Sequence, residues 1–166
     1  MVFGSRVAPL IVIAAALLML AGCPGSDMSD VSRRQFPLSS LETATVTVKD
    51  HTLRVWVVRS EAQQAEGLMW VGPDDIADDQ GMLFVNDAPR LLSFWMKNTL
   101  IPLDIAYARD DGRIVKIWTM QPGELTGYPS VEPARFALEV KAGTFARLGV
   151  VAGDRLAIPA DVLKHP

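Results

Sequence analysis

Cysteine, histidine and clustered positive charge are scarce in this chain of 166 residues, which holds one Cys and two His. A lone thiol, Cys23, closes no disulfide within the chain and builds no thiolate metal set. His51 and His165 lack ligand spacing to any other residue and read as surface positions. No Gly-x-Ser-x-Gly elbow, His-Glu-x-x-His pair or phosphate-cradling glycine loop is present, so the usual nucleophiles lack obvious bases. Sixteen basic residues face nineteen acidic ones for a net charge of −3. With no Lys/Arg cluster to meet a phosphate backbone, nucleic acid is not an expected partner. No apolar run reaches the roughly 18 to 20 residues that span a bilayer.

What the chain does have is an address. Arg6 precedes an apolar run from Val7 to Leu20, and Leu20-Ala21-Gly22-Cys23 closes it with small residues at a cleavage point. That is an export signal, and a cysteine at that point offers its thiol for a diacylglyceryl group. The pattern resembles a bacterial lipoprotein: a signal peptide over 1–22, then a mature chain beginning at acylated Cys23, held on the membrane by several acyl chains where one would not suffice. The domain then has no thiol left, and its stability must come from burial. Pro24 follows the cysteine in place of the Asp that favours inner-membrane retention in some bacteria. An outer-membrane anchor facing the periplasm is the expectation in a Gram-negative cell.

From Pro24 to Leu41 the composition turns to Pro, Gly, Ser and Asp, which predicts a flexible tether over 23–41. The remaining stretch, 42–166, suits a single domain. Its apolar residues alternate. Thr43 to Lys49 and Leu53 to Arg59 read as a hairpin turning at Asp50-His51-Thr52. Ser60-x-x-Gln63 is a capping-box pattern, and with Gly67 as the stop it predicts a helix over Glu61 to Glu66. Further strands are predicted at 82–85, 91–97, 103–109, 113–119, 135–141 and 155–159, with Asp110-Asp111-Gly112 as a turn and a short helix between Thr144 and Gly149. Short strands at this spacing imply a mainly β fold, a single antiparallel sandwich or barrel with one or two short helices.

Three blocks carry a resemblance: Gly67-Leu68-Met69, Gly81-Met82-Leu83-Phe84 and the run from Phe94-Trp95-Met96-Lys97-Asn98-Thr99 to Asp104-Ile105. Together with Ala137-Leu138-Glu139-Val140 and Gly153-Asp154, they resemble the signature of the domain-of-unknown-function family 192, from about Thr45 to Pro159. The resemblance implies a compact, jelly-roll-like β domain and no established activity. Members often carry an arginine soon after Gly-Leu-Met, where this chain has Trp70 and Val71.

In the segment from Leu91 to Arg109, alternation places Leu92, Phe94 and Met96 toward the core and Trp95 and Lys97 on the other side. Leu103, Ile105 and Tyr107 form the apolar set of the next strand, with Asp104, Ala106 and Ala108 opposite. If Asn98 to Pro102 turns the chain back on itself, Trp95 and Lys97 lie beside Asp104. Trp95, Lys97, Asn98, Thr99 and Asp104 are then a candidate binding face, a shelf on which a flat ligand stacks while polar groups fix its orientation.

The leading expectation is a non-catalytic envelope domain binding a small or extended ligand, with no cofactor. A protein partner in the envelope is the first alternative. A carboxylate-dependent enzyme is the second, if Asp104 converges with Glu139 or Glu66; Glu139, between Leu138 and Val140, is expected to be solvated. A Cu(I) site is the third, built on the soft thioethers of Met69, Met82, Met96 and Met120, although core filling explains these residues more cheaply.

Overall fold

In the computed structural model, Met1 and residues 33–164 are described. The expected signal peptide, Cys23, the first part of the expected tether and His165 lie outside the described residues. The domain is mainly β. Nine strands are described: β1 (Glu42–Val48), β2 (His51–Val58), β3 (Gln80–Arg90), β4 (Ser93–Phe94), β5 (Leu103–Ala108), β6 (Ile114–Met120), β7 (Tyr128–Pro129), β8 (Ala134–Lys141) and β9 (Leu156–Ala157). Three short α-helices accompany them: α1 (Glu61–Glu66), α2 (Thr144–Arg147) and, after β9, α3 (Ala160–Lys164).

Seven strands form one sheet in the order β6-β5-β8-β3-β2-β1-β9. Its edges touch at one end through the bridge Arg113↔Arg155, backed by Leu156 N donating to Gly112 O at 2.9 Å, so the sheet curls into a half-barrel. Gly112 makes that closure possible: its φ is +82°, and a Cβ there would sit 2.2 Å from Leu156 O. The expectation of wholly antiparallel pairing needs one correction, because β2 and β3 run parallel. Parallel neighbours need a crossover, and α1 with the loop after it supplies one.

Local signals were sound where local forces decide. Ser60 Oγ accepts from Gln63 N and Gln63 Oε1 from Ser60 N, both at 3.3 Å, closing the capping box of α1. The first hairpin turns one step earlier than its composition suggested. Val48 pairs with His51, and Lys49, at φ 52°, carries the turn while exposed His51 already belongs to β2.

Both faces of the sheet are covered. One face packs Val46, Val55, Leu83, Leu138 and Val140 with α2 and α3. The other packs Met82, Phe84, Ile105 and Tyr107 beneath the irregular segments around Leu68, Ile76 and Met96. This second layer includes Leu38 and Leu41, so the packed domain starts earlier than Glu42, and residues 33–41 are not free tether. Gly81 lies where β3 pairs with β8; an added Cβ would meet Glu139 O at 2.4 Å. Among the described residues, no helix is long and apolar enough to cross a membrane.

Candidate functional site

The region around Trp95 is built by β4, which the 91–97 alternation had joined to β5 as a hairpin. The structure separates them: β4 is two residues long and pairs with β7, Ser93 with Pro129 and Phe94 with Tyr128, in a small sheet of its own. Phe94 pins this sheet to the core, edge-on to Phe84 at 4.7 Å and to Tyr107 at 5.8 Å. Tyr107 Oη donates to Tyr128 O at 2.6 Å and Trp118 Nε1 to Pro129 O at 2.8 Å, holding β7 from below. With Phe94 turned inward, Trp95 must turn outward, and it is 51 % exposed. Lys97 Nζ lies 5.4 Å from the centre of its ring.

Beneath Trp95 opens a cleft of about 350 Å³. One wall is the end of α1 and the chain that follows, Glu66 to Met69. The other is the segment from Arg90 to Trp95, with Lys97 and Thr99 beyond it. Asn86 braces Arg90, its Oδ1 accepting from Nη2 at 2.9 Å and from Nε at 3.2 Å. At the inner end of the cleft lies Glu139 of β8.

Glu139 is the residue that sequence reasoning misplaced. It does point away from Leu138 and Val140, but not into solvent, because β8 lies between β3 and β5 with both of its faces covered. Glu139 is 4 % exposed, beside Met82 on one neighbouring strand and Ile105 on the other. No hydrogen bond or ion pair reaches its carboxyl from the described residues, and burial alone pushes its pKa up to about 8. Among those residues, no sealed side-chain nitrogen or oxygen lacks a partner. The Glu139 carboxyl therefore keeps an opening, and the cleft is that opening. One charged residue inside the apolar run from Phe136 to Val140 is the signal that could have found it, since near-continuous apolar strands are buried on both faces.

Of the five candidates, Trp95, Lys97 and Thr99 line the cleft. Asn98 stands beside it, at φ 55°, with its carbonyl accepting from Trp70 N at 2.9 Å. Asp104 is not part of the face. It shares the alternation of Ala106 and Ala108, which pack in the opposite layer, and is 2 % exposed. Its carboxylate accepts from Thr119 Oγ1 at 2.7 Å and from Phe145 N at 3.3 Å, tying β5 to β6 and α2.

Asp104 and Glu139 thus lie on opposite faces of one sheet and do not converge. Glu66 does share the cleft with Glu139, but its oxygens already accept from Gln35 N at 2.6 Å and Phe36 N at 2.9 Å. Met82, Met96 and Met120 are fully buried in one apolar cluster, where core filling puts them. Met69 Sδ lies 3.8 Å from Asn98 Nδ2. Among the described residues, no group of three or more His, Cys, Asp or Glu is placed to hold a metal ion.

The family model for DUF192, described as an uncharacterised group, matches residues 44–158. The chain belongs to the DUF192 family. Two crystal structures resemble this DUF192 domain at 36 % identity. One, a putative transcription regulator from Sinorhizobium meliloti, superposes with a TM-score of 0.68 over 70 % of this chain and 94 % of its own. The other, a protein of unknown function from Novosphingobium aromaticivorans, gives 0.69 over 74 % of this chain and 89 % of its own. Both have the DUF192 half-barrel. No curated protein matches the chain.

Proposed function

We propose that this DUF192 protein is a lipid-anchored envelope module that binds a small ligand in the cleft beneath Trp95. The observation that carries the reading is the pairing of a half-exposed indole at the mouth with a carboxyl at the inner end that has no partner among the described residues. Pockets that bind small molecules combine apolar or aromatic walls with a few placed polar groups, and buried titratable groups with perturbed pKa values cluster at such sites. The anchor rests on Leu20-Ala21-Gly22-Cys23. From Cys23 to Arg34, where the chain meets the domain beside the cleft wall, the tether reaches at most roughly 40 Å, which holds the cleft near the bilayer.

The description of the Sinorhizobium relative as a regulator of transcription is not carried over, because this chain is acidic overall and has no basic stripe. A protein partner covering the same mouth is the second reading, favoured by Leu91, which is 70 % exposed beside Trp95.

The test uses the full chain extracted from membranes. Its mass should correspond to a chain starting at triacylated Cys23; an unmodified Cys23 or a retained Met1 overturns the anchor. Thermal unfolding is then screened against envelope sugars, nucleotides, lipid headgroups and metal ions. A ligand at about a hundredfold over its Kd adds roughly 2.7 kcal/mol. Trp95→Ala should abolish that shift while costing less than about 1 kcal/mol of stability, since half of the ring is already in water. A shift that survives in Trp95→Ala, or no shift from any compound, removes the ligand reading.

A further inference from the structure

The charges around the cleft do not balance, and the imbalance selects among ligands. Glu66 is matched by Arg34, whose Nη2 lies 3.5 Å from it. Arg90 and Lys97 have no carboxylate partner among the described residues. Among the described residues the Arg90 guanidinium is held by the neutral oxygen of Asn86, and Lys97 stands over the Trp95 ring. The one other acid facing the space is Glu139, alone in an apolar setting. We propose that the cleft takes a small organic anion bearing a ring, its acidic group drawn to Arg90 and Lys97, its ring on Trp95 and one oxygen hydrogen-bonded to Glu139. This rests on the ligand-binding reading above and names the class of molecule for the same site.

Two physical points support the choice. Burial keeps the Glu139 proton on up to about pH 8, so at neutral pH the group is a neutral donor. A carboxylic acid held in an apolar site donates a hydrogen bond to a ligand oxygen, which a carboxylate cannot do. The cleft then presents two unneutralised cations and no free anion, and such a concavity gathers negative ligands. A cationic ligand would instead need Glu139 ionised and would meet Arg90 and Lys97 on its way in.

The charged and titratable groups around Glu139 are few. Tyr107 of β5 is pushed well above its ordinary value by burial and by Glu139 itself. Lys141, two residues along β8, is paired with Asp78 at 3.1 Å, and Arg34 and Glu66 hold each other. Glu139 is therefore the group whose proton governs binding as pH rises past neutral.

The experiment measures affinity by calorimetry on the full chain with two matched sets: glucuronate, glucose and glucosamine, and benzoate, benzyl alcohol and benzylamine. An acid should bind better than its neutral and cationic counterparts, and its affinity should fall about tenfold or more between about pH 6.5 and about pH 9.5. Glu139→Gln, which donates at every pH, should keep the acid bound and flatten that profile. Lys97→Gln should weaken the acid at both pH values. An amine preferred to its acid, or an acid whose affinity in the parent ignores pH, overturns the inference and leaves the ligand-binding reading standing. If neither acid binds while another compound of the wider screen shifts unfolding, the inference again falls alone. Silence from every compound overturns both.

Discussion

Glu139→Gln will be more stable than the parent protein above neutral pH, and the gain will disappear in acid. An ordinary glutamate ionises near 4.5, and in the folded protein burial moves this one to about 8. Below about pH 4.5 both folded and unfolded chains hold the proton, and the group contributes no difference. Between these values the unfolded chain has lost its proton while the folded one keeps it. The folded state then binds more protons, so stability falls as pH rises, and the loss is complete once the folded carboxyl ionises. A tenfold change in an ionisation constant corresponds to about 1.4 kcal/mol, so the whole loss is roughly 4 to 5 kcal/mol. Glutamine has nearly the same shape and no charge to desolvate. Denaturant unfolding at about pH 4 should place parent and variant within about 1 kcal/mol of each other, whereas at about pH 9 the variant should lead by several. Equal stability at both values means that Glu139 is solvated, and with it goes the account of the cleft's inner end.

A group that lowers stability at working pH and has no partner among the described residues needs an account other than stability. Structures tolerate such costs where they serve a site, and Glu139 lines the cleft that opens beside Trp95.

How much of this could be read beforehand follows from the range of the forces involved. The hairpin of β1 and β2, the boundaries of α1 and the inward turn of Leu103, Ile105 and Tyr107 depend on neighbours a few residues away, and alternation and capping express them directly. Asp104 was assigned to the correct side of its strand as well. Which partner that side meets is a matter of topology: β5 pairs with β6 and β8, while β4 leaves to join β7. Period-two patterning specifies a face but not the neighbour across it. Glu139 escaped for a related reason, since a polar residue between two apolar ones reads as the wet side of a strand. In a central strand with both faces covered there is no wet side. The contribution of residues 33–41 escaped because three apolar side chains without regular spacing, Phe36, Leu38 and Leu41, carry it together with buried Arg34.

That arginine should be costly to remove. Arg34 is 6 % exposed, and its guanidinium donates to Met69 O at 2.6 Å, Gly67 O at 2.8 Å and Phe36 O at 3.1 Å. Glu66 completes the set by taking the backbone N–H groups of residues 35 and 36. Burial lowers the Arg34 pKa, and Glu66 works in the opposite direction, so the three carbonyls and the Glu66 carboxylate offset the cost of burying the charge. Arg34→Ala removes the ion-pair partner of Glu66 and the donor to three carbonyls at once. Removing one partner of a buried pair costs about 3 to 5 kcal/mol, and the denaturant midpoint should fall accordingly. Arg34→Lys should recover only part of this, because a compact ammonium does not span carbonyls set around a planar fork. A cycle with Glu66→Gln should show coupling of at least about 1 kcal/mol. If Arg34→Ala instead costs less than about 1 kcal/mol, residues 33–41 contribute little to the fold and the boundary returns to Glu42. If it costs what the contacts imply, the segment leading into β1 is also the one that holds Gly67 and Met69 in the cleft wall, and the variant should weaken ligand binding even where the protein remains folded.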